Sequence, residues 1–438
     1  MARFATVRAM PGPSRKFRWW LAAVTVAGFV LRVLYIRFER SGTGLEAAAG
    51  VVGGDAFFYH KGAQLLPHHG FISPEVFLGE GRVMPAAEHP PLYLLWLAIP
   101  SALNVTSPLA HMLWSALIGT ATIVTVGLLG REVAGERTGL IAAGLAAVYP
   151  NIWAPDGFLV SETMAIFTVT LTLLLAYRYV REPGTGRAVL LGTAAALAAL
   201  SRAEALLLFA LVVLPVIWRV REEPIKLRLR RLVAAALLPI LLIGSWVGFN
   251  ISRFENPVFL SSGFDVTLLS STCDDTYYGR FTGYWSIFCV AEVRDAEVTP
   301  DMDQSETAVI YRRAATEYLG DNLGRLPVVV LARWGRITGL WNPGQQVKLD
   351  QFPEGREKWV AWSALLTWYP LALLAIGGAI ALRRRRDAPL FPLLAPPIGV
   401  MIAITITFAT TRYRATAETA IVVLAAVAVD TLLRRREA

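Results

Sequence analysis

Charged residues are scarce in this 438-residue chain: Asp, Glu, Lys and Arg make up 17% of it, and 55% is hydrophobic. A water-soluble domain of this length could not bury so much apolar surface, so the composition excludes an ordinary soluble enzyme. The net charge of +9 would suit a nucleic-acid partner, but most basic clusters stand at the ends of apolar segments, as in membrane proteins. We predict an integral membrane protein whose partner is the lipid bilayer, with no nucleic acid.

The motifs of nucleotide-dependent enzymes are also missing. The sequence has no G-x-x-x-x-G-K-[ST], no strand-flanked G-x-G-x-x-G, no H-E-x-x-H and no Cys/His cluster of zinc spacing. A transferase without a nucleotide fold would have to draw its activated group from a donor already in the membrane. No cofactor is indicated with certainty; a divalent metal stays open, although no D-x-D pattern stands in the first loop.

Only two cysteines are present, Cys273 and Cys289, and both fall in one predicted outer loop. An oxidising compartment favours joining them, and closing a loop of about 15 residues stabilises a protein by roughly 3 kcal/mol. We predict this disulfide; two buried free thiols are the alternative.

Long apolar runs, in contrast, are abundant. About 20 residues at helical rise cross the roughly 30 Å of hydrocarbon in a bilayer. Runs of suitable length or character are found at 19–36, 109–130, 138–150, 161–179, 188–201, 203–218, 232–250, 361–382, 389–409 and 416–433. The sequence therefore predicts an all-α, polytopic membrane protein with about ten transmembrane helices.

The distribution of Lys and Arg sets the orientation of these helices. With a cytoplasmic N-terminus, the inside receives basic clusters at 3–18, 131–137, 178–187, 219–231, 383–386 and 434–436. Two large segments, 37–108 and 251–360, then lie outside. We predict an N-terminal transmembrane module over 1–250, an extracytoplasmic region over 251–360 and C-terminal helices over 361–438.

One stretch of the second outer segment, "LPVVVLARWGRITGLW", is too apolar for a simple linker. Arg333 and Arg336 stand one turn apart among its apolar residues. This pattern indicates a helix lying at the membrane interface.

Ionisable residues gather on the outer side, where apolar helices begin or end. Such residues are costly near a membrane unless they are paired, wet or functional. The clusters are "GGDAFFYHK" around Asp55, "EHPPLY" from Glu88 to Tyr93, "PDGFLVSE" from Pro155 to Glu162, "SRAE" from Ser201 to Glu204, and "TRYRATAE" from Thr411 to Glu418. Interface anchoring explains any one cluster as well as function does, but five on one face favour a single wet cavity at the outer leaflet.

A carboxylate beside glycines, such as Asp55, suits a general base that takes a proton from a hydroxyl acceptor. Asp156 or Glu162 could instead orient that acceptor. In "HPP" the prolines cannot extend a helix backward, so they are expected to pin His89 at a helix start, where free N–H groups favour an anion.

Arginines suit the recognition of phosphate by charge-assisted hydrogen bonds. Arg412 and Arg414 are candidates, together with His89, Lys61 or Arg202. Residues at i and i+2 do not share a face of a helix. We therefore expect Arg412 to hold a phosphate and Arg414 to pair with an acidic neighbour, with Glu418 as the candidate.

The order of these motifs resembles that of the GT-C glycosyltransferases, in particular the protein O-mannosyltransferase and aminoarabinose transferase superfamily (glycosyltransferase family 39-like). The resemblance covers nearly the whole chain. It rests on "D-x-x-x-Y" (Asp55, Tyr59), "HPPLY" (His89 to Tyr93), "SE" (Ser161, Glu162), "SRAE" (Arg202, Glu204) and "RYR…AE" (Arg412 to Glu418).

The resemblance implies inverting transfer of a sugar from a polyprenyl-phosphate donor to an acceptor on the extracytoplasmic side. The excess of Arg over Lys, 37 to 5, with many Ala, Gly and Val residues, indicates a GC-rich bacterial genome, so we predict a bacterial cell membrane. Asp55 would be the base or position the acceptor, and Tyr59 and His89 would contact the donor phosphate. Ala56 stands where protein O-mannosyltransferases usually carry Glu, which leaves lipid, glycan or polyol acceptors open. The remaining residues expected near the acceptor or elsewhere in the site are Glu88, Tyr93, Glu204 and Glu418.

Two other classes of protein compete with the enzyme. A transporter or flippase of a lipid-linked sugar also needs polar residues at a membrane cavity, but such proteins more often show repeated halves and charges within their spans. A scaffold of the cell envelope would have no use for the cavity residues. The enzyme is favoured.

Overall fold

The structure is a computed structural model that describes residues 11–41, 54–73, 84–219, 223–352, 354–386 and 388–437. Its fold is all-α, as predicted. Within those ranges the only extended pairing is an isolated bridge between Ile72 and Pro85.

The helices, in chain order, are α1 (Arg15–Tyr35), α2 (Asp55–His69), α3 (Leu92–Ala102), α4 (Pro108–Ala134), α5 (Glu136–Val148), α6 (Glu162–Arg181), α7 (Thr185–Ala199), α8 (Ala203–Trp218), α9 (Ile225–Ile251), α10 (Gly263–Leu269), α11 (Ile287–Glu297), α12 (Gln304–Asp321), α13 (Leu326–Ile337), α14 (Pro343–Gln351), α15 (Lys358–Arg385), α16 (Phe391–Ile406) and α17 (Ala415–Glu437). Short helical turns are formed by Ile36–Arg40, Pro150–Trp153, Ala154–Gly157, Asp274–Tyr277, Leu323–Arg325 and Thr411–Arg414.

In the described part of the chain, six helices are long and apolar enough to cross a membrane. They are α1, α4, α6, α9, α15 and α17, with α1 extended to Arg40 and α17 extended back to Thr411. The chain is thus a multi-pass membrane protein. The other four predicted spans are also helical, but α5, α7 and α16 have only 13, 15 and 16 residues, or about 20–24 Å at 1.5 Å per residue. The count of ten spans stays a prediction.

The ends of α4 illustrate how the sequence sets these boundaries. Ser107 accepts a hydrogen bond from the Ala110 amide, and Pro108 occupies the first position, where no backbone N–H is needed. At the other end Gly135 has a φ of 102°, a backbone angle that residues other than glycine rarely adopt. Helix α5 begins at the next residue, so α4 and α5 pack closely as neighbours.

Helix α17 lies at the centre of the bundle. It packs against α4, α5, α6, α15 and α16, and all its residues from Ala415 to Ala428 are buried. Gly378 of α15 permits the closest of these approaches, because a Cβ atom there would lie 1.8 Å from the Leu424 carbonyl oxygen. The turn at Thr411–Arg414 is therefore held at the N-terminal end of an enclosed helix.

The second outer segment forms a small helical layer with its own apolar cluster. Leu269, Val290, Tyr311 and Ala315 pack together from α10, α11 and α12. A disulfide joins Cys273 to Cys289. The layer contacts the first outer segment, since the Gln304 side chain accepts from the Ala87 amide at 3.0 Å and the Ser262 amide donates to the Ala87 carbonyl at 2.7 Å.

Helix α13 differs from the interfacial helix that its sequence suggests. Arg333 and Arg336 do not extend to water: their side chains are buried and donate to backbone carbonyls of Thr405, Ser271 and Thr282. Leu331 is exposed instead. The two arginines thus join α13 to the end of α16 and to the disulfide loop.

Candidate active site

Asp55 is the first residue of α2, and Gly54 is its N-cap. A carboxylate at this position is favoured by the free N–H groups and the dipole of the helix. Among the described residues, none has an atom within 4 Å of where a side chain at Gly54 would begin. Gly53 lies outside the described residues.

Arg412 is the centre of the site. It lies in the turn between α16 and α17, where the Thr410 hydroxyl accepts from its amide at 3.0 Å. Three carboxylates surround its guanidinium: Nη2 is 2.5 Å from Asp55 Oδ2, Nε is 2.9 Å from Glu162 Oε1, and Nη1 is 3.0 Å from Glu354 Oε2. These residues come from α2, the start of α6 and the second outer segment.

A second guanidinium, that of Arg202, adjoins the first. Arg202 Nη1 lies 2.8 Å from the same Glu162 oxygen, and its Nε lies 2.5 Å from Glu204. The Tyr413 ring packs 5.0 Å from this guanidinium. The "SRAE" and "TRYR" motifs therefore meet at Glu162 and supply two neighbouring cations.

His89 and Tyr59 flank Asp55. His89 Nε2 lies 3.5 Å from Asp55 Oδ1, and the Tyr59 ring stacks on the His89 ring with centroids 5.1 Å apart. Helix α3 begins only at Leu92, so His89 precedes the helix start that we expected it to occupy. A backbone hydrogen bond joins this segment to the residue just before "SRAE": the Leu92 amide donates to the Leu200 carbonyl at 2.9 Å.

Neighbouring charges control the ionisation of the outer carboxylates. Burial raises the pKa of Asp55, but the Arg412 guanidinium and the His89 ring outweigh burial and hold it well below its usual range. Burial raises the pKa of Glu88 to about 7, with His89 opposing and Asp55 adding to the rise. Burial also raises the pKa of Glu354 despite the opposing charge of Arg412. Asp55 is thus a carboxylate, while Glu88 and Glu354 are poised to bind a proton.

Arg414 faces away from this cluster. Its Nε lies 2.6 Å from Glu418, its Nη1 donates to the Ile337 carbonyl at 2.6 Å, and its guanidinium stacks over Trp368 at 3.6 Å. Glu418 is also bonded by Asn151 at 3.1 Å. This is the pairing expected of one of the two arginines, and it leaves Arg412 as the arginine of the site.

Three other predicted site residues do not join the Arg412 cluster. Asp156 is bound by Arg32 at 2.8 Å and by Thr163 at 2.9 Å inside the helix bundle, so its predicted role at the acceptor is not supported. Tyr93 is buried and bonds Ser115 at 2.8 Å, while its ring contacts that of Tyr59. Among the residues described, Lys61 forms no ion pair with the carboxylates of the site.

The neighbouring His60 anchors α2 instead of binding a ligand. Gln64 Nε2 lies 2.9 Å from the Thr106 carbonyl and 3.1 Å from His60 Nε2. His60 Nδ1 and His111 Nδ1 are 3.0 Å apart, and His111 Nε2 is 2.9 Å from Ser101. One consistent set of neutral tautomers makes a chain of donors from Gln64 to Ser101, which ties α2 to α3 and α4.

Sequence analysis missed Glu354. It lies in "PEGREK", between α14 and α15, outside any apolar periodic segment. The available signal was an acidic residue just before a predicted span, the pattern that we used for the other clusters.

A metal ion does not fit the side chains that meet here. Among the described ranges, no group of three His, Cys, Asp or Glu side chains is arranged to hold one. The three carboxylates that converge already share a guanidinium, which satisfies their charge.

Comparison with known proteins agrees with this architecture. Residues 88–246 match the family model of the dolichyl-phosphate-mannose-protein mannosyltransferases. The archaeal oligosaccharyltransferase AglB from Archaeoglobus fulgidus, in complex with an inhibitory peptide and a dolichol-phosphate, superposes with a TM-score of 0.57 at 16% identity, over 96% of this chain and 51% of its own. The chain has the GT-C fold. An Archaeoglobus fulgidus oligosaccharyltransferase in the apo form superposes with a TM-score of 0.55 at 17% identity, over 95% of this chain and 51% of its own.

The GT-C fold and the family match confirm the resemblance that the motifs indicate. The matched range contains "HPPLY", "PDGFLVSE" and "SRAE", whereas Asp55 and Arg412 lie outside it. The chain spans about half the length of AglB. ArnT from Cupriavidus metallidurans bound to undecaprenyl phosphate is more distant, with a TM-score of 0.43 at 15% identity over 91% of this chain and 77% of its own. No curated protein sequence matches the chain.

Proposed function

We propose that this protein is a membrane glycosyltransferase that moves a sugar from a polyprenyl-phosphate donor to a hydroxyl acceptor at the extracytoplasmic face. The observation that carries the proposal is the position of Arg412, whose guanidinium lies between Asp55, Glu162 and Glu354 at the outer ends of the helices. The similarity of residues 88–246 to a mannosyltransferase family that uses dolichyl phosphate, and the dolichol-phosphate in the AglB complex, support a lipid-linked donor.

Arg412 and Arg202 form the binding site for the donor phosphate. Both guanidinium groups contact the same oxygen of Glu162, which shows that they are adjacent. A planar guanidinium offers two parallel N–H groups to phosphate oxygens, which an ammonium cannot reproduce. His89 and the Tyr59 hydroxyl stand on the Asp55 side of this pair and complete the phosphate contacts.

Asp55 is the general base. In the structure Arg412 and His89 hold its carboxylate, and this keeps its basicity low. A donor phosphate on Arg412 neutralises that cation, so the pKa of Asp55 rises when donor is bound. The carboxylate then takes the proton of the acceptor hydroxyl as the acceptor oxygen attacks the anomeric carbon. The bond between that carbon and the phosphate oxygen breaks, and the configuration of the carbon is inverted. The leaving group is the polyprenyl phosphate, whose charge is held by the two arginines.

The protein acts in a bacterial plasma membrane with the site on the outside. Basic clusters in the last turns of α6, α15 and α17 face the cytoplasm under the positive-inside rule. The site residues stand at the opposite ends of these helices. The disulfide between Cys273 and Cys289 fits an oxidising compartment on that side.

The test is transfer by purified protein in liposomes. We expect radiolabelled sugar to move from polyprenyl-phosphate donors, offered as a panel of hexoses and aminopentoses, to acceptors in a membrane extract. The same sugars on nucleoside diphosphates serve as controls, and they should be inactive because the chain has no nucleotide motif. Consumption of the nucleotide sugars alone, or of no donor in the panel, contradicts the proposal.

A further inference from the structure

Glu354 occupies the third side of the Arg412 guanidinium. Its Oε2 lies 3.0 Å from Nη1, and its side chain is only 7% exposed. Its other oxygen lies 3.4 Å from the hydroxyl of Tyr284. Asp55 lies against Nη2 and Glu162 lies beside Nε, so a carboxylate adjoins each nitrogen of the guanidinium. A donor phosphate that binds Nη1 therefore competes with Glu354.

The segment that carries Glu354 is firmly held at its flanks. Arg40 Nη1 donates to the Gly355 carbonyl at 3.1 Å and to Glu357 at 2.9 Å, and Arg356 donates to Asn151 at 3.1 Å. On the other side of Glu354, Asp350 accepts from the Thr411 hydroxyl at 2.7 Å. The Glu354 side chain is thus presented to Arg412 by a fixed backbone.

The three carboxylates differ in how readily they can leave Arg412. Asp55 is also held by His89, and Glu162 is also held by Arg202. Within the described ranges Glu354 has no second cation in contact: beyond Arg412, the groups that act on it are the carboxylates of Asp350, Asp55 and Glu162, together with the neutral Tyr284 hydroxyl. Once displaced, a carboxylate so surrounded by like charge binds a proton.

We propose that Glu354 is a positioning residue of the donor site: it occupies Nη1 of Arg412 until the donor phosphate displaces it, and its displacement takes up one proton from solvent. This inference rests on the proposed function. It links donor binding to pH, because the bound state carries one more proton than the free state. The affinity for a polyprenyl-phosphate sugar, a phosphodiester that does not itself titrate near neutrality, therefore falls as pH rises.

The test measures the dissociation constant of a polyprenyl-phosphate hexose between pH 5.5 and 8 in detergent-solubilised full-length protein. In the wild type we expect the affinity to fall by up to tenfold per pH unit over part of this range. In Glu354→Gln the amide cannot take up the proton and holds the guanidinium less tightly. That variant should bind about tenfold more tightly at pH 8, and its pH slope should be smaller by up to one proton. His89 and Glu88 also titrate in this window, so the readout is the difference between wild type and variant.

The matched control is Glu357→Gln, in the same segment but paired with Arg40 and Tyr35; it should keep the wild-type slope. Tyr284→Phe is a second, independent variant. Loss of the hydroxyl that faces the Glu354 carboxylate should move the midpoint of the slope to higher pH. Calorimetry of donor binding in buffers of different ionisation enthalpy should give the number of protons taken up on binding directly.

Wild-type affinity and slope in Glu354→Gln would overturn this inference and leave the proposed function intact. If Glu354→Gln does not fold, a midpoint of the pH dependence of donor affinity that is unchanged in Tyr284→Phe would also overturn this inference. No binding of the donor by the wild type would instead overturn the proposed function, and this inference with it.

Discussion

Asp55 and Arg412 lie 357 positions apart in the sequence, yet their side chains are joined by a hydrogen bond of 2.5 Å. Asp55 is the first residue of α2, and Arg412 lies in the turn just before α17. The contact brings together two segments that are distant in the sequence. Because the two side chains are in contact, a substitution of either residue also tests the role of the other.

Replacing Asp55 by Asn should lower sugar transfer by about two to four orders of magnitude, the range typical of a positioned acid or base. The amide keeps the shape but cannot accept the proton. Transfer by the purified variant in liposomes is the measurement. Asp295→Asn is the control, since this exposed residue pairs only with its neighbour Arg294 in the described structure. Full activity in Asp55→Asn would remove it from the role of base.

Replacing Arg412 and Arg414 separately by Lys should have different effects. Arg412→Lys should weaken donor binding about 10- to 100-fold, because an ammonium cannot present two parallel N–H groups. Arg414→Lys should leave donor affinity near the wild-type value and lower the free energy of unfolding by about 1–3 kcal/mol, through its bonds to Glu418 and Ile337. Donor titrations and thermal unfolding separate the two. Equal donor affinity in both variants would argue against a phosphate on Arg412.

The ionisation of Glu88 predicts a dependence of stability on pH. Its folded-state pKa, about 7, lies above the ordinary value of 4.5. Between these values the folded state binds more protons than the unfolded state, so this residue lowers wild-type stability as pH rises. Glu88→Gln does not titrate and should therefore unfold at a higher temperature than wild type at pH 8, with the gap narrowing towards pH 5. The exposed Glu292→Gln should show no such trend, and a gap that widens towards acid pH would refute the assignment.

Cysteine labelling should report the orientation of the chain. Gly320 at the end of α12 and Gly186 at the start of α7 are both exposed, and a side chain at either meets no atom within 4 Å. The native cysteines are joined to each other and give no background. In whole cells an impermeant thiol reagent should label Gly320→Cys and spare Gly186→Cys, while both should react in broken membranes. The reverse pattern in intact cells would invert the topology.

The positions of the helices were largely predictable because apolar runs locate them. The span predicted at 361–382 is α15 at Lys358–Arg385, and the span predicted at 138–150 is α5 at Glu136–Val148. Charge at the ends of such runs also identified Asp55, Glu162, Arg202 and Arg412. Their convergence could not be derived from spacing, because it depends on which helices pack together.

Other features lay beyond the sequence. Glu354 stands in an irregular segment without periodicity or a motif, and its only signal is its position just before a predicted span. Arg333 and Arg336 are buried against backbone carbonyls, although an amphipathic pattern suggests charges in water. Asp156 looked like part of the outer cluster, but a buried partner, Arg32, holds it. In each case a distant part of the chain decides the environment of the residue.

The enclosed position of α17 has a consequence for biosynthesis. The ribosome releases this helix after all the helices that surround it, so those helices must enter the bilayer around a space that is filled only at the end. Until then Asp55, Glu162 and Glu354 lack their shared cation. A chain that stops before residue 411 would contain the region 88–246 that the family model matches and still lack Arg412. Synthesis of α17 is thus the step that assembles the site.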